Sequence, residues 1–256
     1  MPRKLWLLFI ISLFPLLSSF NVSAHLALSE YRLYFDNNAK TNALTLRNTS
    51  NTSMKYTIEL TQSDMTEQGT LIPVTDAQTK GRSAKTLLRF SPRRGEIKPQ
   101  GIQAVRFSVR KPASLADGEY RSVLRISGQI VNSPTSKNVG TRSTLAYNIP
   151  VIIRQGKLAA TASLATPTLI MQNGVPTIEL WLTRQGKRSL YGDFTITDSN
   201  HNKLAELTGV AIYPPLLRRK VDIPLTKTGQ GKVTIKFQEQ SHYGGNLTLT
   251  NSIILK

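Results

Sequence analysis

Three histidines, His25, His201 and His242, are the obvious places to look for metal or acid–base chemistry. None belongs to a His-Glu-x-x-His helix or to a spaced ligand set. The chain has no cysteine, so a zinc site would need all three histidines plus carboxylates, and no metal or other cofactor is expected. No Gly-x-Ser-x-Gly elbow and no phosphate-cradling glycine loop occurs. The carboxylates are scattered, with no spacing that pairs them for general acid–base work. These residues point to a protein that binds and is not an enzyme. A secreted hydrolase with a loop-assembled site stays open as an alternative, because such sites need no local motif.

Charge is the next chemical resource. Lys and Arg number 33 against 15 Asp and Glu, a formal net charge of +18. Such an excess favours anionic surfaces of several kinds, including nucleic acid, polysaccharide, lipid headgroups and carboxylates, and composition does not choose among them. Arg89-Phe90 and Arg106-Phe107 interleave cations with aromatics as a nucleic-acid platform would. The same alternation describes a strand solvated on one side, which is the reading adopted, with no nucleic-acid partner. Arg218-Arg219-Lys220 is a further basic cluster to which the sequence assigns no role.

The elements that must position these groups begin after a leader. Arg3 and Lys4 precede an apolar run from Leu5 to Leu17, and Val22-Ser23-Ala24 supplies small residues for cleavage after Ala24. Residues 1–24 read as a signal peptide, and no later stretch suggests stable membrane insertion. An exported chain without cysteine must be held by its cores alone, which suits a bacterial periplasm. Beyond Ala24 the sequence shows no sustained helical period. Short Val, Ile, Thr, Leu and Tyr runs at 31–35, 43–48, 54–61, 86–91, 104–109, 120–126 and 144–154 alternate with turn residues. Seven strands in that span predict an immunoglobulin-like sandwich over residues 25–156. Asp117-Gly118-Glu119-Tyr120 places a tyrosine just after an Asp-Gly turn, as in the tyrosine corner of Greek-key sandwiches. Gly156 and Lys157 break the pattern. A second series of short strands, at 168–171, 177–183, 193–197, 203–207, 219–223, 232–237 and 247–255, predicts another β-sandwich over residues 157–256. The fold class is therefore all-β.

Ser143 to Arg154 is the most informative stretch. Leu145, Tyr147, Ile149, Val151 and Ile153 fall at every second position and would line one face of a strand. Pro150 has no N–H for a ladder, which disfavours a fully paired central strand. Two readings fit: a half-buried edge strand, or an edge offered to another protein's sheet.

Three segments together resemble the PapD-like periplasmic chaperones of the chaperone–usher pathway, in their archaic or alternative variants. Ser29-Glu30-Tyr31-Arg32-Leu33-Tyr34-Phe35-Asp36 is similar to the family's first strand. Leu88-Arg89-Phe90-Ser91-Pro92-Arg93-Arg94, Lys98-Pro99-Gln100-Gly101 and Val105-Arg106-Phe107 resemble its middle strands. Asp117 to Arg121 and Ile149 to Arg154 look like the variants found in its archaic or alternative members. The resemblance covers most of residues 25–156, and the second domain adds length and β character but no motif. It implies two immunoglobulin-like domains set in an L, pilus or fimbrial subunits and an outer-membrane usher as partners, and a periplasmic location. It also implies donor-strand complementation, with Leu145, Tyr147, Ile149 and Val151 as the donated row and Thr141 and Ser143 leading in. Family members anchor the subunit's terminal carboxylate with an arginine on the first strand and a lysine on the last. Arg32 matches the arginine and should point away from the first core. Pro150 stands at the lysine's position, so Arg89, Arg142 and Arg154 are the candidate replacements. An exported adhesin or anionic-polysaccharide-binding module is the alternative function.

Overall fold

The computed structural model describes residues 26–79, 81–131, 144–227 and 229–255. The expected leader, residues 1–24, lies outside them. From its N-terminal end the described chain runs through β1 (Leu26–Leu28), β2 (Leu33–Phe35), β3 (Thr41–Asn48), β4 (Met54–Thr61), β5 (Ser63–Met65) and β6 (Leu71–Pro73). It continues through β7 (Leu88–Ser91), β8 (Arg94–Ile97), β9 (Ile102–Val109), β10 (Gly118–Ile130) and β11 (Thr144–Gln155). One sheet has the order β1-β3-β9-β7 and the other β2-β11-β10-β4-β8. In chain order these are the A-B-E-D and C-F-G sheets of an immunoglobulin-like sandwich, with the first strand divided between them. Side chains alternate as two-faced strands require. In β4, Met54, Tyr56 and Ile58 are buried while Lys55, Thr57 and Glu59 are exposed. The Tyr120 hydroxyl donates to the Ala116 carbonyl at 2.8 Å, completing the tyrosine corner that the Asp-Gly turn foretold.

Four short features depart from the sequence reading, and the first of them, β1, precedes every strand it predicts. No strand is expected between residues 91 and 104, yet Arg94 opens β8, whose Gly95 lies against Tyr56; a Cβ there would sit 2.9 Å from the Tyr56 hydroxyl. The β5–β6 hairpin and the first strand of the second sandwich were also not foreseen, being short and without a clear apolar alternation.

The second sandwich comprises β12 (Ala160–Leu164), β13 (Thr168–Gln172), β14 (Val175–Gly186), β15 (Leu190–Thr197), β16 (Lys203–Ile212), β17 (Arg218–Pro224), β18 (Gly231–Glu239) and β19 (Thr248–Leu255). Its sheets run β12-β14-β13, with β17 on β14, and β16-β15-β18-β19. Ile178, Leu180, Leu182, Phe194, Ile196, Val233, Ile235 and Phe237 fill the space between them. Among the described residues no helix is long and apolar enough to cross a membrane.

A third apolar cluster joins the two halves: Ile152, Ala211 and Tyr213, with Tyr34, Met65, Leu71 and Tyr191 packed against it. The β5–β6 hairpin reaches across this seam, where the Lys220 amide donates to the Glu67 carbonyl at 2.7 Å and Arg218 pairs with the Glu67 carboxylate at 2.7 Å. The basic cluster thereby gains a structural role. Arg218 also covers the Trp181 ring at 4.7 Å, Arg219 donates to the Ala211 carbonyl at 2.6 Å, and Lys220 pairs with Glu179 at 2.6 Å.

Candidate functional site

The site has two parts, an uncovered length of strand β11 and the seam into which it runs. On one side β11 is paired with β10 along its whole length, from Thr144 opposite Gln129 to Gln155 opposite Gly118. On its other side β2 pairs parallel to it, but only from Val151 to Ile153, opposite Leu33 to Phe35. From Thr144 to Pro150 that outer edge has no strand partner among the described residues. Pro150 falls just before the covered length begins. Backbone groups along such an edge are available to an added strand.

The apolar row of β11 divides at the same place. Ile149, Val151 and Ile153 are 1 %, 0 % and 0 % exposed and belong to the first sandwich's own core. Leu145 and Tyr147 are only partly buried at the rim of that core. The Tyr147 hydroxyl donates to the Leu26 carbonyl at 2.6 Å, and its ring lies 6.0 Å from that of the exposed Tyr31. The four-residue donated row expected from the resemblance is therefore corrected. Ile149 and Val151 are already enclosed between the sheets, because the row faces the sandwich interior and the core reaches that far along β11. Leu145 and Tyr147 remain at the opening, while Thr141, Arg142 and Ser143 lie outside the described residues.

The opposite face of this sheet looks onto the second sandwich. Alternation along β2 and β11 places Arg32 and Tyr34 there with Ile152 and Arg154, and β10 adds Glu119 and Arg121. Arg32 points away from the first core, into the seam, and is 2 % exposed. Its Nη1 donates to the Tyr213 hydroxyl at 2.7 Å, and its guanidinium lies 4.2 Å from the centre of the Tyr191 ring. Tyr213 and Tyr243 complete the aromatic surround, each 5.4 Å away. The Arg32 Nε is buried without a hydrogen-bond partner, and no carboxylate pairs with this guanidinium among the described residues. Burial pushes the Tyr191 and Tyr243 phenols above the ordinary 10.0, against the pull of Arg32. A buried cation with an idle donor is costly unless an anion reaches it.

Arg154 is placed differently from expectation. Its Nε pairs with Glu119 at 3.0 Å, with side chains 9 % and 1 % exposed. Its Nη1 donates to the Tyr34 hydroxyl and to the Tyr243 and Gly244 carbonyls at 3.2–3.3 Å, and Nη2 to the Ser189 carbonyl at 3.3 Å. Glu119 Oε2 also accepts from the Ser189 amide and hydroxyl, both at 2.9 Å. All three guanidinium nitrogens are spent on protein acceptors, so Arg154 locks the two sandwiches together and is corrected from anchor to brace. Glu119 could have been found from the sequence: strands six and seven of an immunoglobulin-like fold pair antiparallel, and Glu119 is directly opposite Arg154.

Arg89 is likewise corrected. It is exposed on β7, in the other sheet of the first sandwich, and its Nη1 donates to the nearby Thr86 and Leu88 carbonyls, both at 3.1 Å. There it flanks, with Arg106, a trough of about 580 Å³ floored by Thr41, Ala43, Ser91 and Ser108. No carboxylate occurs in β1, β3, β7 or β9. His201 sits in a turn with φ 62° and His242 packs edge-on against Tyr243, while His25 lies outside the described residues.

The cation that does share Arg32's surroundings is Arg121, which sequence reasoning missed. It is 7 % exposed and lies 4.6 Å from the centre of the Tyr213 ring, which also carries Arg32. Its Nη2 donates to the Ser63 carbonyl and reaches Asp64 at 3.4 Å. Burial pushes its pKa below the ordinary guanidinium range, with Tyr213 and Asp64 opposing.

No family model and no curated protein matches this chain. Among solved structures it is similar to the YadV chaperone, with 12 % identity, TM-score 0.49 and coverage of 90 % of this chain and 100 % of that one. The CupB2 chaperone of Pseudomonas aeruginosa gives 13 % identity, TM-score 0.47 and coverage of 90 % and 100 %. The CsuC–CsuE chaperone–tip adhesion subunit complex from the archaic chaperone–usher Csu pili of Acinetobacter baumannii gives 14 %, 0.48, and 90 % and 98 %. Similarity at this level identifies no function, and the architecture stands on the pairing and burial of the chain's own strands.

Proposed function

We propose that this chain is a periplasmic chaperone of the PapD-like kind. In this reading it stabilises pilus or surface-fibre subunits by lending the edge of β11 to an incomplete sheet, and hands them to an outer-membrane usher. The observation that carries the reading is the uncovered edge from Thr144 to Pro150, which ends where β2 and Arg32 begin. An added strand along this edge would occupy the line of β2. If it runs parallel to β11, its C-terminal carboxylate arrives at Arg32; if antiparallel, its ammonium group does. A buried guanidinium with an idle Nε selects the first orientation. Main-chain bonds supply affinity, while Leu145 and Tyr147 present apolar surface at the rim to a subunit whose own core is open. The first-strand and last-strand motifs of the sequence support the same assignment.

Co-expression with fibre subunits from neighbouring genes, followed by purification from periplasm, tests the reading. A one-to-one complex is expected, and Leu145→Asp should abolish it while leaving the chaperone folded. Recovery of the complex at wild-type yield with Leu145→Asp would refute the edge assignment.

A second reading, an anionic-polysaccharide-binding module, draws on one observation: the acid-free outer face where Arg89 and Arg106 flank the trough. Retention on a polyanionic glycan matrix near physiological salt, lost on Arg89→Ala with Arg106→Ala, would favour it.

A further inference from the structure

Under the chaperone reading the carboxylate site is one cation short, because Pro150 occupies the position beside Arg32 where a second positive charge would lie on β11. Two observations locate a replacement. Arg121 projects from β10 on the seam side, opposite Ile152, which itself packs on Tyr213. Arg32 and Arg121 then stack on the same ring, at 5.4 and 4.6 Å from its centre. Two guanidinium groups thus share one phenol, with Asp64 at 3.4 Å from Arg121 as the nearest paired carboxylate. The Tyr213 hydroxyl accepts from Arg32 Nη1 at 2.7 Å, the distance expected of a carboxylate oxygen bonded to arginine.

We propose that Arg121 is the second cation of the carboxylate site, and that the Tyr213 hydroxyl is a place-holder that an incoming C-terminal carboxylate displaces from Arg32. This rests on the chaperone reading above and deepens it. The chemistry is an exchange of hydrogen-bond acceptors with no covalent step. A neutral phenol oxygen leaves a buried guanidinium and a charged carboxylate takes its place, using Nη1 and the idle Nε of Arg32 with Arg121 supplying the second positive charge. Charge-assisted bonds are stronger than neutral ones, so the exchange favours the carboxylate once it is delivered by a docked strand. Arg89 and Arg154 take no part, one lying on another sheet and the other being fully engaged with protein acceptors.

The test uses a synthetic alternating Val-Thr peptide ending in Phe, prepared with a free C-terminal carboxylate and as its C-terminal amide. Both are titrated against the full mature chain. The carboxylate-to-amide affinity ratio is read on one sample, so partial misfolding of a variant cancels. Wild type should prefer the carboxylate by roughly ten- to a hundred-fold, the effect of one or two charge-assisted bonds. Arg121→Gln and Arg32→Gln should each reduce the ratio about ten-fold or more, and Arg121→Lys should restore part of it. Tyr213→Phe should raise the ratio several-fold by removing the place-holder. A wild-type ratio retained in Arg121→Gln, or no rise in Tyr213→Phe, would overturn the inference while an Arg32→Gln loss left the chaperone reading standing. A wild-type ratio of one would sink both.

Discussion

Truncating Ile149 and Leu145 to alanine, one at a time, separates the part of β11 that is core from the part that is edge. The two side chains lie on one face of the strand, four residues apart. Ile149 is 1 % exposed within the first core, so truncation removes buried methylenes and leaves a cavity that rigid neighbours close only in part. Such losses run to about 2–5 kcal/mol. Leu145 is only partly buried at the rim, where solvent can enter the vacated space. About half of a full leucine burial, or roughly 1 kcal/mol, is the expected cost. In urea, with a slope of roughly 1–3 kcal/mol per molar, Ile149→Ala should lower the midpoint by about 1–2 M and Leu145→Ala by about 0.5 M. Capture should show the reverse order. Folded Ile149→Ala should bind the alternating peptide much as wild type does, and Leu145→Ala should bind it several-fold more weakly. Equal midpoint losses, or equal capture losses at matched folded fraction, would refute the division of the row.

Glu119→Gln should destabilise the chain by about 3–5 kcal/mol, because it leaves the Arg154 guanidinium buried beside a neutral group; an unchanged urea midpoint would show that the carbonyl acceptors suffice. Glu239 supplies a pH dependence. Burial alone would raise its pKa, but the bidentate pair with Arg188 and the Leu247 and Asn246 amides outweigh it and hold the carboxyl below the ordinary 4.5. The folded state therefore binds this proton less readily than the unfolded chain. The stability it contributes is full above about pH 4.5 and declines as pH falls through the lowered value. Melting temperature followed from about pH 6 to pH 3 should fall less steeply in Glu239→Gln, and an identical slope would refute the assignment.

Strands that alternate cleanly were legible in the sequence. Met54, Tyr56 and Ile58 against Lys55, Thr57 and Glu59 give β4 its limits without reference to any other part of the chain. The β5–β6 hairpin was not legible, since Glu67 and its neighbours find their partners on β17, about 150 residues later. The edge character of β11 was visible in Pro150, but how far the first core extends along it was not. Periodicity names a face and says nothing of where the opposing sheet ends. At the site, Arg32 was accessible to sequence reasoning while Arg121 and the three tyrosines were not. Tyr191, Tyr213 and Tyr243 come from three separate segments of the second sandwich and meet Arg32 only through the packing of the seam.

The abrupt start of β2 at Leu33 gives the uncovered edge of β11 a fixed end. A strand sliding along an open edge can ordinarily settle in several registers, and each one-residue slip turns its apolar row to the wrong face. Here, under the chaperone reading, a strand held by its terminal carboxylate cannot slip. Its register is counted backward from the last residue, so the parity of the spacing between C-terminus and apolar row becomes the criterion for acceptance. A subunit strand lengthened by one neutral residue at its C-terminus would keep its charge and its apolar row, yet present polar side chains where Leu145 and Tyr147 await apolar ones.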